Sequence, residues 1–400
     1  MPDPETLTIR TVGAISELDA RQWNACAFPD GEPRNPFVDH AFLLALEESG
    51  SAVPSRGWQP LHVVLEDAQG TLLGAMPTYL KNHSQGEYIF DHAWADAFHR
   101  AGGSYYPKLL CAVPFTPATG PRLLARGDPE TRVRTRELLI RGAMEVTDKV
   151  DASSLHLNFI REQEWEALGS LGLLQRIDQQ FHWHNAGYGS FDDFLAELSS
   201  KKRKNLRRER REALAGGVEI EWVTGSDLRE HHWDAFHAFY MDTGARKWGQ
   251  PYLTRDFFSR IGATMADETL LILCRRGGRY VAGALNFIGS DTLFGRNWGC
   301  IEDHPFLHFE TCYYQAIDFA IDRGLKRVEA GAQGGHKVAR GYLPCATYSA
   351  HWIVHPGLRE AIRDYLERER AWVRRDMETV EAHAPFRSEV DVSAIRRGTR

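Results

Sequence analysis

Residues 329–344, EAGAQGGHKVARGYLP, carry the densest group of side chains in the sequence that could do chemistry. Because histidine titrates near neutral pH, His336 is a candidate general base. Lys337 and Arg340 could hold an anionic group, and amides beside the four glycines could donate hydrogen bonds to an oxyanion. The other polar residues of the segment are Glu329, Gln333 and Tyr342. The alternative is an ordinary polar turn with a hydrogen-bonded histidine, and the clustering favours a site.

A second charged group lies in residues 199–217, SSKKRKNLRRERREALAGG. Eight of the twelve residues from 201 to 212 are Lys or Arg and two are Glu, so this run has a net charge of +6. The apolar residues share one stripe of a helical projection: Leu195, Leu198, Leu206, Ala213 and Leu214. The pattern therefore predicts one amphipathic helix that begins near residue 191 and stops at the glycine pair 216–217.

The basic side of this predicted helix has three interpretations. It is a solvated surface, a site for a phosphate-bearing donor or acceptor, or a site for tRNA or another RNA. The candidate contacts are Lys202, Lys204 and Arg207.

Two other segments contain candidate ligand contacts. Residues 102–124 combine four prolines with Tyr106 in an irregular segment that could wall a cleft between two domains. Residues 240–254 place Arg246 and Trp248 beside a glycine-proline turn, where a cation and an aromatic ring could grip a ligand. Structural packing of the first segment and an ordinary surface loop in the second are the alternatives.

Residues 304–324 read as a loop that enters a helix, with Glu310 at the helix start. His304 and His308 are four residues apart, but Pro305 argues against a continuous helix through both, so no metal site is predicted. The sequence contains no GxGxxG, GxxxxGK[ST] or GxSxG motif and no cysteine in a nucleophile context. Direct transfer to an acceptor is therefore favoured over covalent catalysis.

Composition limits the class of protein. The chain has 400 residues, of which 43% are hydrophobic and 26% charged, and this predicts a globular protein of two domains. A net charge of −6 argues against general nucleic-acid coating. The six cysteines form no CxxC pair, and no apolar run or leader-like segment predicts a membrane span or secretion, so a cytoplasmic location is expected.

The elements that must position these residues occur twice. Each half offers a hairpin, a helix, a short strand and an aromatic strand, in that order: 61–80, 134–149, 153–159 and 180–183, then 270–288, 310–323, 325–331 and 348–352. We therefore expect a mixed α+β fold with two repeated domains, 1–186 and 187–387, each a mostly antiparallel sheet flanked by helices. A loop-rich insertion at about 82–122 and a flexible tail at 388–400 complete the prediction. The alternative is that unrelated α/β domains share such elements.

Several motifs together resemble a known family. They are NPFVDHAFLLALEESG (35–50), YYPKLLCAVPFTPATGPRLL (105–124), FDDFLAELSSKKRKNLRRERR (191–211), RKWGQPYLT (246–254) and FETCYYQAIDFAI…EAGAQGGHKVARGYLP (309–344). Over about residues 7–387 the sequence resembles the bacterial FemAB-like predicted N-acyltransferases, described as acting in peptidoglycan biosynthesis or recognition. The resemblance implies two tandem domains of the GNAT acyltransferase superfamily.

The resemblance also implies a reaction, the transfer of an acyl or aminoacyl group to an amine. The donor would be acyl-coenzyme A or aminoacyl-tRNA, and the acceptor a small molecule or a peptidoglycan precursor. His336 or Glu329 would remove the proton, and Tyr106 and Glu310 would orient the acceptor. Residues 299–310 lack the [RQ]xxGx[GA] loop that holds the coenzyme A pyrophosphate in GNAT enzymes. The alternative function is a non-catalytic module that recognises a peptidoglycan precursor or an RNA.

Overall fold

The computed structural model describes residues 7–247, 251–331 and 334–398, without the side chains of residues 245–247. The chain forms two compact units. The first contains the chain up to Asp178 together with Ala346–Arg374, and the second contains Gln179–Cys345 and the chain from Arg375 onward.

Fifteen strands are present in the described residues. They are β1 Thr8–Val12, β2 Trp58–Pro60, β3 His62–Glu66, β4 Leu72–Met76, β5 Thr78–Lys81, β6 Lys108–Cys111, β7 Leu124–Ala125, β8 Ser154–Ile160, β9 Leu174–His184, β10 Val218–Thr224, β11 Thr269–Arg276, β12 Arg279–Ile288, β13 Thr292–Cys300, β14 Arg327–Glu329 and β15 Leu343–Ile353.

The α-helices of the described residues surround these strands. They are α1 Ala20–Ala27, α2 His40–Glu48, α3 His92–Arg100, α4 Pro129–Lys149, α5 Glu162–Ser170, α6 Phe191–Glu197, α7 Ser200–Leu214, α8 Glu230–Lys247, α9 Arg255–Thr264, α10 Leu307–Phe309, α11 Gln315–Asp322, α12 Pro356–Glu381 and α13 Val392–Arg397. A π-helical turn, Glu310–Tyr314, joins α10 to α11, and a 3₁₀ helix spans Gly335–Arg340. No helix of residues 7–247, 251–331 and 334–398 is long and apolar enough to cross a membrane.

The first unit contains two groups of paired strands. One sheet has the order β1-β3-β4-β7 and is antiparallel throughout. In the other group, β2, β5 and β6 pair antiparallel, β6 pairs with β8 in parallel, and β8 pairs with β15 antiparallel. The predicted insertion at 82–122 contains both α3 and β6, so part of it belongs to this sheet.

The second unit orders its strands β10-β11-β12-β13-β14-β9, with one parallel pair, β13 and β14. The predicted hairpin forms β11 and β12, and both turn residues, Gly277 and Gly278, have positive φ, as a tight hairpin turn demands. The apolar side of α11 packs on this sheet with α6 in a core that contains Trp183, Phe194 and Phe319. The prediction of mixed, mostly antiparallel sheets flanked by helices is confirmed.

One predicted element is wrong. The stripe from residue 191 to residue 214 is two helices, because α6 ends at Glu197 and α7 begins at Ser200. Leu198 between them is extended, forms a β-bridge with Phe386 and is fully buried. Pairing with a strand-like segment distant in sequence therefore overrides the local helical pattern.

Candidate active site

The end of the parallel β13–β14 pair marks the candidate site in the second unit. The pairing covers only three positions and ends where Phe294 faces Glu329, whereas β13 continues along β12 to Cys300. The register between β12 and β13 shifts after Leu285, which leaves a bulge in β13 at this point. Bulges bend a strand and often lie beside active sites. A side chain at Gly295 would bring its Cβ within 3.4 Å of the Glu329 carbonyl oxygen, so the bulged strand and the end of β14 are close together.

The segment that follows this strand end contributes a histidine to a histidine-tyrosine pair. Nε2 of His336 is 2.9 Å from the hydroxyl of Tyr313, and the His336 ring centroid is 5.7 Å from that of Phe309. Partial burial and the charges of Arg340 and Lys337 lower the pKa of His336. Burial raises the pKa of Tyr313 above its ordinary value, so its hydroxyl keeps its proton. The pair therefore presents a neutral imidazole near pH 7 that can accept a proton.

Glu329 and a buried histidine face each other at the end of β14. His182 on β9 is the cross-strand neighbour of Glu329, and its Nε2 lies 4.0 Å from the carboxylate. Both side chains are buried. Burial lowers the pKa of His182 well below its ordinary value, with Arg327 as a second cause, so this ring is neutral.

Three further candidate residues of the glycine-rich segment face inward. Lys337 is buried, its ammonium donates to the Gly331 carbonyl at 2.8 Å, and burial lowers its pKa to about 8. The Arg340 guanidinium lies 3.5 Å from the centre of the Phe309 ring. Tyr342 is fully buried and donates to the Tyr313 carbonyl at 3.3 Å. These three side chains shape the segment that carries His336.

Helix α7 is attached to the site through its inner side. Glu209 accepts hydrogen bonds from Arg340 at 2.9 Å and from the Tyr314 hydroxyl. Arg210 holds both oxygens of Glu310, at 2.9 and 3.1 Å, and also bonds Asp318 at 2.6 Å. The helix is thus fixed against the π-helical turn that carries Tyr313.

Glu310 lies differently from the expectation that it orients an acceptor. Its side chain is fully buried, and its carboxylate accepts from Arg210 and from Gln315, the latter at 2.8 Å. Burial raises the pKa of Glu310, and the charge of Arg210 opposes this shift. In this arrangement the carboxylate stabilises the packing of α7.

The other predicted contacts lie on α7, in the first unit or outside the described residues. In α7, Lys204 and Arg207 are exposed, Lys202 is half-buried, and Arg207 pairs with Asp192 at 2.8 Å. Tyr106 belongs to the first unit, where its hydroxyl bonds Ser84 at 2.9 Å. Gln333 and Trp248 lie outside the described residues, and Arg246 is described only as part of the α8 backbone.

In the first unit, the end of the parallel β6–β8 pair is covered by a following segment of the same unit. There, β6 and β8 pair in parallel over three positions, up to Cys111 facing Leu157. Beyond them Gly120 donates to the Phe159 carbonyl at 3.0 Å, and the amides of Arg122 and Leu123 donate to Glu164. This proline-containing return, residues 112–124, is almost entirely buried. The β6–β8 and β13–β14 pairs are alike in spanning three positions, but the end of the β6–β8 pair is covered.

The helix start that follows β13 lacks a phosphate cradle, in line with the missing loop motif. Phe306, in the left-handed conformation, precedes α10. The amides of Leu307, Phe309 and Glu310 donate to carbonyls of the preceding turn. Nearby Glu302 is held by His304, Arg276 and Arg279, and the hydrogen bond from His304 lowers its pKa to about 2. An anion at this point would meet amides that are already occupied.

Metal-binding side chains are not grouped in the part of the chain that the structure describes, where no three His, Cys, Asp or Glu side chains lie close enough to hold an ion. The six cysteines are free thiols, and burial raises the pKa of Cys345, beside His184, to about 11. This shift leaves the Cys345 thiol protonated at neutral pH.

Sequence reasoning missed several residues that build the site. Tyr313 fell in an apolar stripe at helical spacing, and only its phenol hydroxyl could have indicated a polar role. Glu209 and Arg210 were hidden in the basic run, although an acidic residue within a basic helix is a signal of a specific partner. Nothing in the sequence indicated that His182 would face Glu329.

Comparison with known proteins supplies an independent result. A family model described as FemAB-like, peptidoglycan biosynthesis/recognition, matches residues 14–388, and no curated protein matches the chain. Among solved structures the chain is similar to FemX, with a TM-score of 0.53 and 11% identity over 86% of this chain and 98% of that one.

Two further solved structures are similar to the chain. One is the C-terminal domain (DUF2156) of a protein described as a lysylphosphatidylglycerol synthetase from Agrobacterium fabrum, with a TM-score of 0.51 and 11% identity over 88% and 96% of the two chains. The other is a tandem GNAT protein from the clavulanic acid pathway, with a TM-score of 0.46 and 12% identity over 88% and 99%. At these identities the likeness concerns the fold alone, and it agrees with the predicted mixed α+β architecture.

Proposed function

Because the chain belongs to the FemAB-like peptidoglycan biosynthesis/recognition family, we propose that it is an N-acyltransferase that moves an acyl or aminoacyl group directly to an amine. The observation that carries this proposal is the segment that follows the β13–β14 pair: Glu329 ends the ladder, and His336, seven residues later, is hydrogen-bonded to Tyr313. An extended donor arm can add its own hydrogen bonds along a strand such as β13, with the reacting carbonyl at the bulge.

The chemistry requires one proton acceptor and one site for developing negative charge. The acceptor amine loses a proton to His336 or Glu329 and attacks the donor carbonyl, so that a C–N bond forms and the donor C–O or C–S bond breaks. Tyr313 keeps the His336 ring oriented through the 2.9 Å hydrogen bond. The proton then passes to the leaving oxygen or sulfur, and the enzyme returns to its starting state.

The helix start favours an ester donor over coenzyme A. Three of its amides already donate within the chain, so a pyrophosphate gains little there. Aminoacyl-tRNA is therefore the donor we favour and acyl-coenzyme A the second. The family description suggests an amine of a peptidoglycan precursor as the first acceptor to assay.

The experiment is a transfer assay with both donor classes and an amine acceptor, followed by mass spectrometry of the amide product. We expect His336→Ala or Glu329→Gln to lower kcat by about 100-fold or more, the usual contribution of a positioned base. The matched control is His383→Ala, an exposed histidine two residues beyond α12 whose ring bonds the Thr379 carbonyl. Wild-type kcat in both site variants, or binding of the ligands without product, would refute the proposal.

A further inference from the structure

The exposed side of α7 is lined almost entirely by basic side chains, which we call the α7 basic row. The row consists of five exposed residues: Lys201, Lys204, Arg207, Arg208 and Arg211. With 3.6 residues per turn, these five residues fall within an arc of about 120°. The opposite side contains the buried Leu206 and Ala213.

Little negative charge neutralises this row. Arg207 pairs with Asp192 at 2.8 Å and Arg208 with Glu212 at 3.7 Å, and all four side chains are about half exposed or more. Such exposed ion pairs contribute little to stability, because water screens the attraction between the two charges. Among the residues that the structure describes, Lys201, Lys204 and Arg211 have no acidic partner. The row therefore keeps most of its positive charge for a ligand.

The inner side of α7 holds the row in a fixed position. Glu209 bonds Arg340 at 2.9 Å, and Arg210 bonds Glu310 at 2.9 Å, so two ion pairs attach the helix to the candidate site. Glu310 is fully buried and Arg340 nearly so. The basic row is thus a rigid surface on the helix that also supports the His336 segment.

The shape and surroundings of the row indicate the kind of partner. Its five charges recur every one to three residues over a rise of about 15 Å, which suits a narrow polyanion. The chain has a net charge of −6 and residues 201–212 contribute +6, so the remainder is at −12. A flat anionic membrane would repel that remainder, and the partly exposed Leu214 at the end of α7 is a small apolar area for insertion into lipid.

We propose that the α7 basic row docks the phosphate backbone of a nucleic acid without reading its bases. The inference rests on the proposed function in that the favoured donor, aminoacyl-tRNA, is such a nucleic acid, but its test measures binding alone. Five phosphate contacts predict a slope of about −4.5 for log Kobs against log salt on a duplex, because each neutralised phosphate contributes about −0.9. Such binding is strong at low salt and weak at high salt.

The test is fluorescence anisotropy of the full chain with a labelled RNA duplex, in salt from about 50 to 200 mM. The variant replaces the three unpartnered cations, Lys201→Gln, Lys204→Gln and Arg211→Gln. The matched control removes three exposed arginines of α12: Arg363→Gln, Arg368→Gln and Arg374→Gln. We expect the α7 variant to reduce the slope by about 3 and to weaken binding at least 10-fold, whereas the control keeps wild-type binding.

Three results would overturn the proposal. They are no RNA binding by the wild-type chain at low salt, equal loss in both triple variants, and tighter binding to vesicles of anionic lipid than to RNA. All substituted side chains are exposed, so an unchanged melting temperature checks that each variant is folded. The measurement uses no donor or acceptor, so failure of the transfer assay does not affect it.

Discussion

His336 shows how neighbouring charges set the role of one residue. Its ring bonds Tyr313, and Arg340 and Lys337 lie on the same short 3₁₀ helix. Partial burial and these two cations lower the pKa of His336, so the ring is neutral and basic at pH 7. A base of this kind works above its pKa and fails when acid protonates it.

The pH dependence of the reaction tests this account of His336. We expect the acid limb of the kcat/KM profile to lie below the ordinary histidine pKa of about 6.5. In Arg340→Gln a positive charge is lost, the pKa of His336 rises, and the limb moves to higher pH. NMR titration of the His336 ring measures the same shift without substrate. A limb that does not move, with an unchanged NMR titration, contradicts the role of Arg340.

Tyr313 is expected to position His336 without exchanging a proton. Tyr313→Phe removes the 2.9 Å hydrogen bond but keeps the ring, so we expect kcat to fall about 10-fold while the free energy of unfolding changes by about 1 kcal/mol. Tyr280→Phe, which loses a bond to Glu221, is the matched control. Equal kcat values in the two variants would show that orientation by Tyr313 is unimportant.

At the scale of residues, the sequence indicated the glycine-rich segment but not the direction in which its side chains point. His336 is accessible, as a base must be, whereas Lys337 and Tyr342 are buried. Local sequence contains no information on which side of a short irregular helix meets the core. That choice depends on contacts with Phe309 of α10 and Tyr313 of the π-helical turn, which lie more than 20 residues earlier in the chain.

Among the elements, the attachment of α7 to the π-helical turn has the clearest energetic consequence. Removing one partner of a buried ion pair leaves an uncompensated charge and costs about 3 to 5 kcal/mol. We expect Arg210→Met to lower the free energy of unfolding by about 3 kcal/mol in urea at pH 7, because Glu310 is fully buried.

The sign of the pH effect distinguishes this explanation from a loss of packing. Burial raises the pKa of Glu310, and without Arg210 it rises further. A carboxyl with a raised folded-state pKa favours folding when protonated, so the variant should regain stability as the pH falls from 7 towards 5. Glu212→Gln, at an exposed pair on the same helix, is the control. If the loss in free energy of unfolding is the same at pH 7 and at pH 5, the explanation by an uncompensated charge is contradicted.

Elements were predicted well where the pattern was local. The β11–β12 hairpin followed from two apolar runs around a glycine pair, and α4 from its periodicity. The break between α6 and α7 was missed because it depends on a bridge from Leu198 to Phe386, 188 residues away. The π-helical turn also had no sequence signal, since one inserted residue leaves the apolar spacing almost unchanged.

At the scale of the molecule, two units share a strand arrangement but differ at the end of the parallel pair. Residues 112–124 bury that end in the first unit, with Glu164 accepting from the amides of Arg122 and Leu123. We therefore expect each chain to bind one donor, in the second unit. Isothermal titration with a non-reactive donor analogue measures this stoichiometry, and a value of two would contradict a covered first unit.

The sequence predicted the repeat but not the path of the chain through it. Repeated hairpins and aromatic strands indicated two alike halves because each strand pattern is local. The return of Ala346–Arg374 to the first unit has no such pattern, since β15 is equally apolar on both sides of residue 345. Only pairing with β8 decides where that part of the strand belongs.

The most direct test of the central claim follows an isotopically labelled donor group during a single turnover. With labelled aminoacyl-tRNA or acyl-coenzyme A and an amine acceptor, the account predicts a labelled amide product, no label on the protein, and loss of product in the double variant His336→Ala/Glu329→Gln. Label retained on the protein, or product formed by the double variant at the wild-type rate, would contradict direct transfer at the end of the β13–β14 pair.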